Sequence, residues 1–197
     1  MQKKLTALLR KIEKQNEEEL AWIVGPKTGR MLYYLVRIWR PKLLLEIGTS
    51  IGYSAIWMAT AMEENDFGQI VTIESHTRRF GLAEKNIAKA GLSHRIRQVK
   101  GHAPEVIEEA MALFKPEKGK SSVGLDMAFF DATKQETQSF FDAVFPLMNK
   151  GGLIIVDNVK SHRFKSMLEF IDGIHKDPRL EVVEIDVGAG LLLALKK

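Results

Sequence analysis

The twelve residues from Leu43 to Ser54, LLLEIGTSIGYS, constrain this chain more than any other stretch. Leu43, Leu44 and Leu45 are a short apolar run of the kind that suits a strand covered on both faces. Glu46 closes the strand. Gly48 and Gly52 then allow a tight turn and let backbone come close to a ligand. Small and apolar residues at helical spacing over Tyr53–Met62 predict a helix directly behind the loop. Strand, glycine loop and helix in succession form the nucleotide-site unit of open α/β sheets. The same letters also describe an ordinary strand-to-helix turn, so the context has to decide.

The context is a repeating alternation. Gln2–Leu20 spaces Leu5, Leu8, Leu9, Ile12 and Leu20 among charges. This predicts an amphipathic helix that packs on the domain or on a second subunit, with a lid over the site as the alternative. Ile23–Gly29 breaks the pattern, and Pro26 suits a helix start. Met31, Leu32, Leu35, Val36 and Trp39 give the next helix an apolar face, and Pro41 ends it before the strand Lys42–Ile47. A second strand is expected at Gln69–Ile73 and ends in Glu74. Thr77–Ala90 is a helix closed by Gly91. Ile96–Val99 is a third strand, and helix Glu105–Phe114 follows the loop Gly101–Pro104. His102 in that loop has no partner histidine at ligand spacing, which favours a polar residue near a ligand over a metal role. Lys115–Val123 is a polar surface loop. Met127–Phe130 is a fourth strand ending in Asp131, and Gln135–Met148 a helix with Phe140, Phe141, Val144 and Phe145 toward the sheet. Gly151 and Gly152 turn the chain into a fifth strand, Leu153–Val156, which ends in Asp157 and Asn158. After a helix at Phe164–Ile174, Leu180–Val187 and Leu191–Leu195 flank Gly188-Ala189-Gly190 as a closing hairpin. The expected fold class is therefore α/β: a mostly parallel sheet with helices on both faces and an antiparallel C-terminal hairpin. The chain reads as one domain, with residues 1–40 as an N-terminal helical segment on its core.

Composition narrows the class of partner. The 197 residues can bury a full core. No apolar run approaches the ~18 residues of a membrane span, and the N-terminal residues lack the apolar core of a signal peptide. There is no cysteine, which removes disulfides and thiolate metal sites and makes the cytoplasm the expected location. A net charge of +4 permits an acidic substrate or RNA without demanding either.

Four expected strands end in carboxylates: Glu46, Glu74, Asp131 and Asp157. Ligands of open α/β sheets bind beyond the carboxyl ends of the strands, so these groups should share one rim. Glu74 stands 22 positions past Gly52, the interval at which an acidic strand tip accepts hydrogen bonds from ribose hydroxyls. Clustered carboxylates repel and raise one another's pKa. A hard divalent cation such as magnesium would relieve that strain through all-oxygen ligands from Asp131, Asp157 and Asn158. Simple strand-end caps are the alternative.

From about Val24 onward the chain resembles the cation-dependent, S-adenosylmethionine-dependent O-methyltransferases, the group of catechol and caffeoyl-CoA O-methyltransferases and their small bacterial relatives. LLEIGTSIGYSAIWMA, VTIES, GHAPEVI, FFDATK and GGLIIVDNV carry the resemblance in the family's order. It implies a Rossmann-like class I methyltransferase fold with a seven-stranded sheet. It also implies S-adenosylmethionine as cofactor, with Val24 and Ser54 at its methionine end and Glu46 and Gly48 lining its pocket. Glu74 would hold the ribose, Ala103 would lie near the adenine, and Asp131 would face both cofactor and metal. Asp131, Asp157 and Asn158 would hold the divalent cation, magnesium for preference, and Lys134 would be the general base.

The implied acceptor is a small hydroxylated molecule with adjacent oxygens, and the implied assembly a homodimer away from membranes. Three departures bear on the acceptor. Thr133 stands where relatives carry an acidic residue, and Thr137 where many carry tyrosine. The segment after Asn158 is short and holds Lys160, His162, Arg163 and Lys165. An open basic mouth would admit a phosphate-bearing acceptor, or a hydroxylated tRNA base methylated by the same chemistry. A dinucleotide-binding oxidoreductase would use the glycine loop and Glu74 but leave Asp131, Asp157 and Asn158 without a role.

Overall fold

The computed structural model describes residues 2–114, 124–161 and 164–197. The expected loop Lys115–Val123, together with His162 and Arg163, lies outside the described residues. The chain runs α1 (Gln2–Glu19), α2 (Pro26–Trp39), β1 (Leu43–Ile47), α3 (Tyr53–Asn65), β2 (Gln69–Glu74), α4 (Thr77–Ala90) and β3 (Ile96–Lys100). It continues through α5 (Ile107–Ala112), β4 (Leu125–Phe130), α6 (Thr137–Val144), β5 (Met148–Asp157), α7 (Lys165–Lys176), β6 (Leu180–Ile185) and β7 (Leu191–Lys196). The strands form one seven-stranded sheet in the order β3-β2-β1-β4-β5-β7-β6. The pairs β1–β2, β1–β4, β2–β3 and β4–β5 are parallel, and β7 runs antiparallel between β5 and β6.

Strand alternation makes two cores from one sheet, because successive side chains leave opposite faces. Leu43, Leu45, Ile47, Ala128, Phe130, Ile154 and Val156 face Phe140, Phe141 and Val144 of α6 and Met167, Phe170 and Ile174 of α7. Leu44, Met127, Phe129, Leu153 and Ile155 face the other way, toward α1, α2, α3 and α4. On that side α3 is buried nearly all round, as a helix of small and apolar residues must be. The N-terminal helix packs on this face: Leu9 and Ile12 are buried there, and Tyr53 on α3 donates to Glu13 at 2.5 Å.

Two expected elements differ. The helix expected over Gln135–Met148 is divided into a 3-10 turn at Lys134–Glu136, then α6, then a second 3-10 turn at Phe145–Leu147. Pro146 cannot donate the helical hydrogen bond, so the α-helix stops ahead of it. Gly151 and Gly152 do not precede the fifth strand but lie inside it. Gly151 has φ +78°, and the β4–β5 register slips between Leu125 and Met127, as at a β-bulge. The other boundaries move by a few residues, as helix and strand ends do.

Candidate active site

The parallel sheet reverses its winding between β1 and β4, and a cavity of about 560 Å³ opens there at the strands' carboxyl ends. Volumes of this size hold small ligands and cofactors. Gly48 brings two strand tips together there. It has φ +102°, and a Cβ in its place would collide with the carbonyl of Asp131. Only glycine lets the tips of β1 and β4 come together in this way. The loop is then fixed by backbone bonds: Gly48 N and Thr49 N both donate to Ile73 O, at 3.0 and 3.2 Å, and Gly52 N donates to Thr49 O at 2.9 Å.

One end of the cavity lies over β2 and β3. Glu74 is buried at the tip of β2, where Oε2 accepts from Ser50 N at 2.7 Å and Oε1 from His76 N at 2.8 Å. Each oxygen keeps lone-pair capacity for a further donor from the cavity. Ala103 and His102 of the β3 loop form the adjoining wall, and His102 Nε2 meets Glu136 Oε1 across the rim at 2.9 Å.

The other end lies over β4 and β5. Asp131 follows β4 and receives a hydrogen bond from Lys134 Nζ at 2.6 Å, both side chains being largely covered. Thr137, buried at the start of α6, donates its hydroxyl to Lys134 O at 3.0 Å and so closes the 3-10 turn that carries the lysine. Thr133 lines the cavity beside it. Asp157 ends β5 with 3% exposure, and its Oδ1 has no hydrogen-bond partner. Burial first, and then the nearby charge of Asp131, push its carboxyl up to about 7; the Asn158 backbone and Lys134 oppose this. Asn158 follows in the left-handed region at φ +67°, which asparagine tolerates.

Val24, Gly48, Glu74, Ala103, Asp131, Lys134, Asp157 and Asn158 thus line one cavity. Glu46 and Ser54 do not form part of its wall. Alternation along β1 sends Leu45 and Ile47 to one face and Leu44 and Glu46 to the other, under α3. There Glu46 is fully buried and hydrogen-bonded to Ser54 and Thr72, with Oε1 unpartnered. Burial raises its pKa to about 7, its two hydroxyl partners lower it, and the charges of Asp131 and Glu74 add to the rise. The pair supports the glycine loop from below.

The structure also brings in residues with no distinct signal in the sequence. Trp22 and Ile23 from the α1–α2 connection, Thr28 in the first turn of α2, Arg79 of α4, and Ala189 between β6 and β7 all line the cavity. The break at Ile23–Gly29 and the Gly-Ala-Gly turn marked loops in the sequence, but nothing placed both beside the same site.

The donor set suits a hard cation in chemistry. Two carboxylates and an amide oxygen are ligands of the type magnesium takes, and the partnerless buried Oδ1 of Asp157 is where a bound cation would supply the missing contact. Among the described residues no group of three or more His, Cys, Asp or Glu side chains is placed to hold a metal.

A sheet in the order 3-2-1-4-5-7-6, with an acidic β2 tip beside a glycine loop at the switch point, defines a Rossmann-like class I methyltransferase. The chain belongs to the O-methyltransferase family, whose model matches residues 2–197. It is 35% identical to a catechol O-methyltransferase of Niastella koreensis over 140 residues, 69% of this chain and 58% of that one. The match therefore spans less than two thirds of that relative. Caffeoyl-CoA O-methyltransferase 2 of Petunia hybrida is 30% identical, with 84% and 72% of the two chains covered. The crystal structure of an O-methyltransferase from Bacillus cereus in complex with SAH superposes with a TM-score of 0.81 at 26% identity, covering 97% of this chain and 91% of that one. Among the described residues no helix is long and apolar enough to cross a membrane.

Proposed function

We propose that this protein transfers the methyl group of S-adenosylmethionine to one hydroxyl of a small acceptor bearing two adjacent oxygens, with a divalent cation held by Asp131, Asp157 and Asn158. The observation that carries the reading is the buried, unpartnered Oδ1 of Asp157, in the same cavity wall as the Asp131–Lys134 pair and the glycine loop. The named relatives and the SAH complex of the Bacillus cereus protein support the donor and the reaction class.

In this reading Glu74 accepts from the donor's ribose hydroxyls, while Val24, Gly48 and Ala103 shape the donor's seat. The acceptor oxygen attacks the methyl carbon, the carbon–sulfur bond breaks, and sulfur keeps the electron pair. A bound cation would fix two acceptor oxygens and lower the pKa of the reacting hydroxyl. Lys134, on a short 3-10 turn tied by Thr137, takes the hydroxyl proton on Nζ. It does so through the lone pair of the neutral amine, which can keep an N–H directed at Asp131 while accepting the proton. Holding nucleophile and methyl carbon in line is the remaining contribution of the site.

The basic segment after β5 gives little support to a phosphate-bearing or tRNA acceptor. Lys160 pairs with Asp186 at 3.2 Å and Lys165 with Glu169 at 3.6 Å, so both described cations have acidic partners.

Methyl transfer from labelled S-adenosylmethionine to 1,2-dihydroxybenzene tests the reading, with and without chelator and with hydroxylated tRNA alongside. Cation-dependent transfer to the small acceptor is expected. Tight binding of NAD with no binding of the methyl donor would overturn it.

A further inference from the structure

His102 and Glu136 are joined across the rim of the cavity, and the proposed chemistry uses neither. His102 Nε2 donates to Glu136 Oε1 at 2.9 Å. The sheet order makes this a long reach. His102 stands just past the end of β3, and Glu136 in the turn that follows β4. In the sheet β2 and β1 lie between those two strands. With neighbouring strands ~4.8 Å apart, the tips of β3 and β4 are separated by roughly 14 Å. The two loops therefore lean toward each other over the tips of β2 and β1, where Glu74 and Gly48 line the cavity.

The backbone of each loop is anchored, and only the side chains make the span. Gly101 N donates to Glu74 O at 3.1 Å, and His102 O accepts from Val106 N at 3.3 Å. A Cβ at Gly101 would strike the Val106 side chain, so this loop sits tight against the start of α5. On the other side Glu136 N donates to Thr133 O at 3.0 Å, and the Thr137 hydroxyl ties the same turn. Two fixed walls are thus bridged by two rotatable side chains. The histidine side chain is 46% exposed and the glutamate 35%, so water can take up both polar ends when the bond opens. Exposed side chains change rotamer within nanoseconds. An exposed pair holds its closed form by a factor of only about two to five. His102 forms part of the cavity wall, whereas Glu136 lies outside it.

We infer that His102 and Glu136 form a latch across the donor's seat, which opens to let S-adenosylmethionine in and its demethylated product out, and closes over either one. The inference rests on the function proposed above for the identity of the donor. Because Glu136 touches no part of the seat, the latch closes over a filled seat and an empty one nearly alike. It therefore slows entry and exit by the same factor and leaves affinity almost unchanged.

The test measures association and dissociation rates of SAH by surface plasmon resonance on the immobilised protein, with calorimetric titration for the Kd. Glu136→Ala should raise both rates by roughly two- to fivefold, with the Kd held within twofold. Combining it with His102→Ala should raise the association rate no further, because either substitution alone already removes the bar. The exchange variant, His102→Glu with Glu136→His, should return both rates toward wild type. Unchanged rates in Glu136→Ala would make the pair an ordinary surface ion pair. A weaker Kd with an unchanged association rate would make it a plain ligand contact. Either result overturns the inference and leaves the donor assignment standing. If wild type does not bind SAH, the donor assignment falls and the latch with it.

Discussion

Replacing Glu46 by glutamine removes a buried ionisable group while keeping its shape, and the structure gives the pH dependence that should follow. Glu46 is fully buried, and its carboxyl is raised from 4.5 to about 7, chiefly by burial. Between these values the unfolded chain releases the proton while the folded chain keeps it. The group's contribution to stability is therefore complete below its unfolded pKa, declines as pH rises through 4.5 to 7, and is gone above the folded value. At ~1.36 kcal/mol per unit, the shift corresponds to about 3 kcal/mol. Asp157, raised from 3.8 to about 7, contributes a decline of the same sign, so the wild-type curve alone cannot isolate Glu46. The difference between two curves can. Urea unfolding of wild type and Glu46→Gln across pH 4.5 to 8 should show the variant gaining on wild type by about 3 kcal/mol over that range, with equal m-values. A difference that stays flat with pH would refute the reasoning, because it would mean that Glu46 is already ionised in the folded protein at low pH.

Glu74→Ala should weaken S-adenosylmethionine binding by ~1.5–3 kcal/mol, the worth of charge-assisted hydrogen bonds, as read by calorimetric titration. Asp157→Ala should abolish cation-dependent turnover yet keep donor affinity. Because the wild-type carboxyl is buried and partnerless on one oxygen, the variant's thermal midpoint at pH 8 should not fall, and a large fall would count against the assigned role. Gly48→Ala should destabilise the fold by more than the ~1–3 kcal/mol typical of backbone strain, since the new Cβ also meets the Asp131 carbonyl; an unchanged thermal midpoint would contradict this.

The periodicity of the chain, read alone, already determined the alternation of strands and helices, the parallel sheet with its antiparallel end, and the gathering of Glu74, Asp131 and Asp157 on one rim. These are local matters: an apolar run with a polar stop is a strand whose tip leaves the apolar core, and helices between strands force parallel neighbours. The motifs Leu43–Ser54 and Val156–Asn158 were legible for the same reason, since each puts its chemistry on consecutive residues.

Other features depended on three dimensions. Alternation along β1 puts Glu46 on the face under α3, where the folded chain buries it against Thr72 and Ser54, residues far from it in sequence or on another element. The reading of Gln135–Met148 as one helix passed over Pro146, which ends α6, and the strand through Gly151 and Gly152 needed the bulge against β4 to exist. The pairing of Lys160 with Asp186 and the bond of His102 to Glu136 join residues far apart in sequence. Proximity of that kind is created by setting the strands side by side in the sheet, and no short window of the chain contains it.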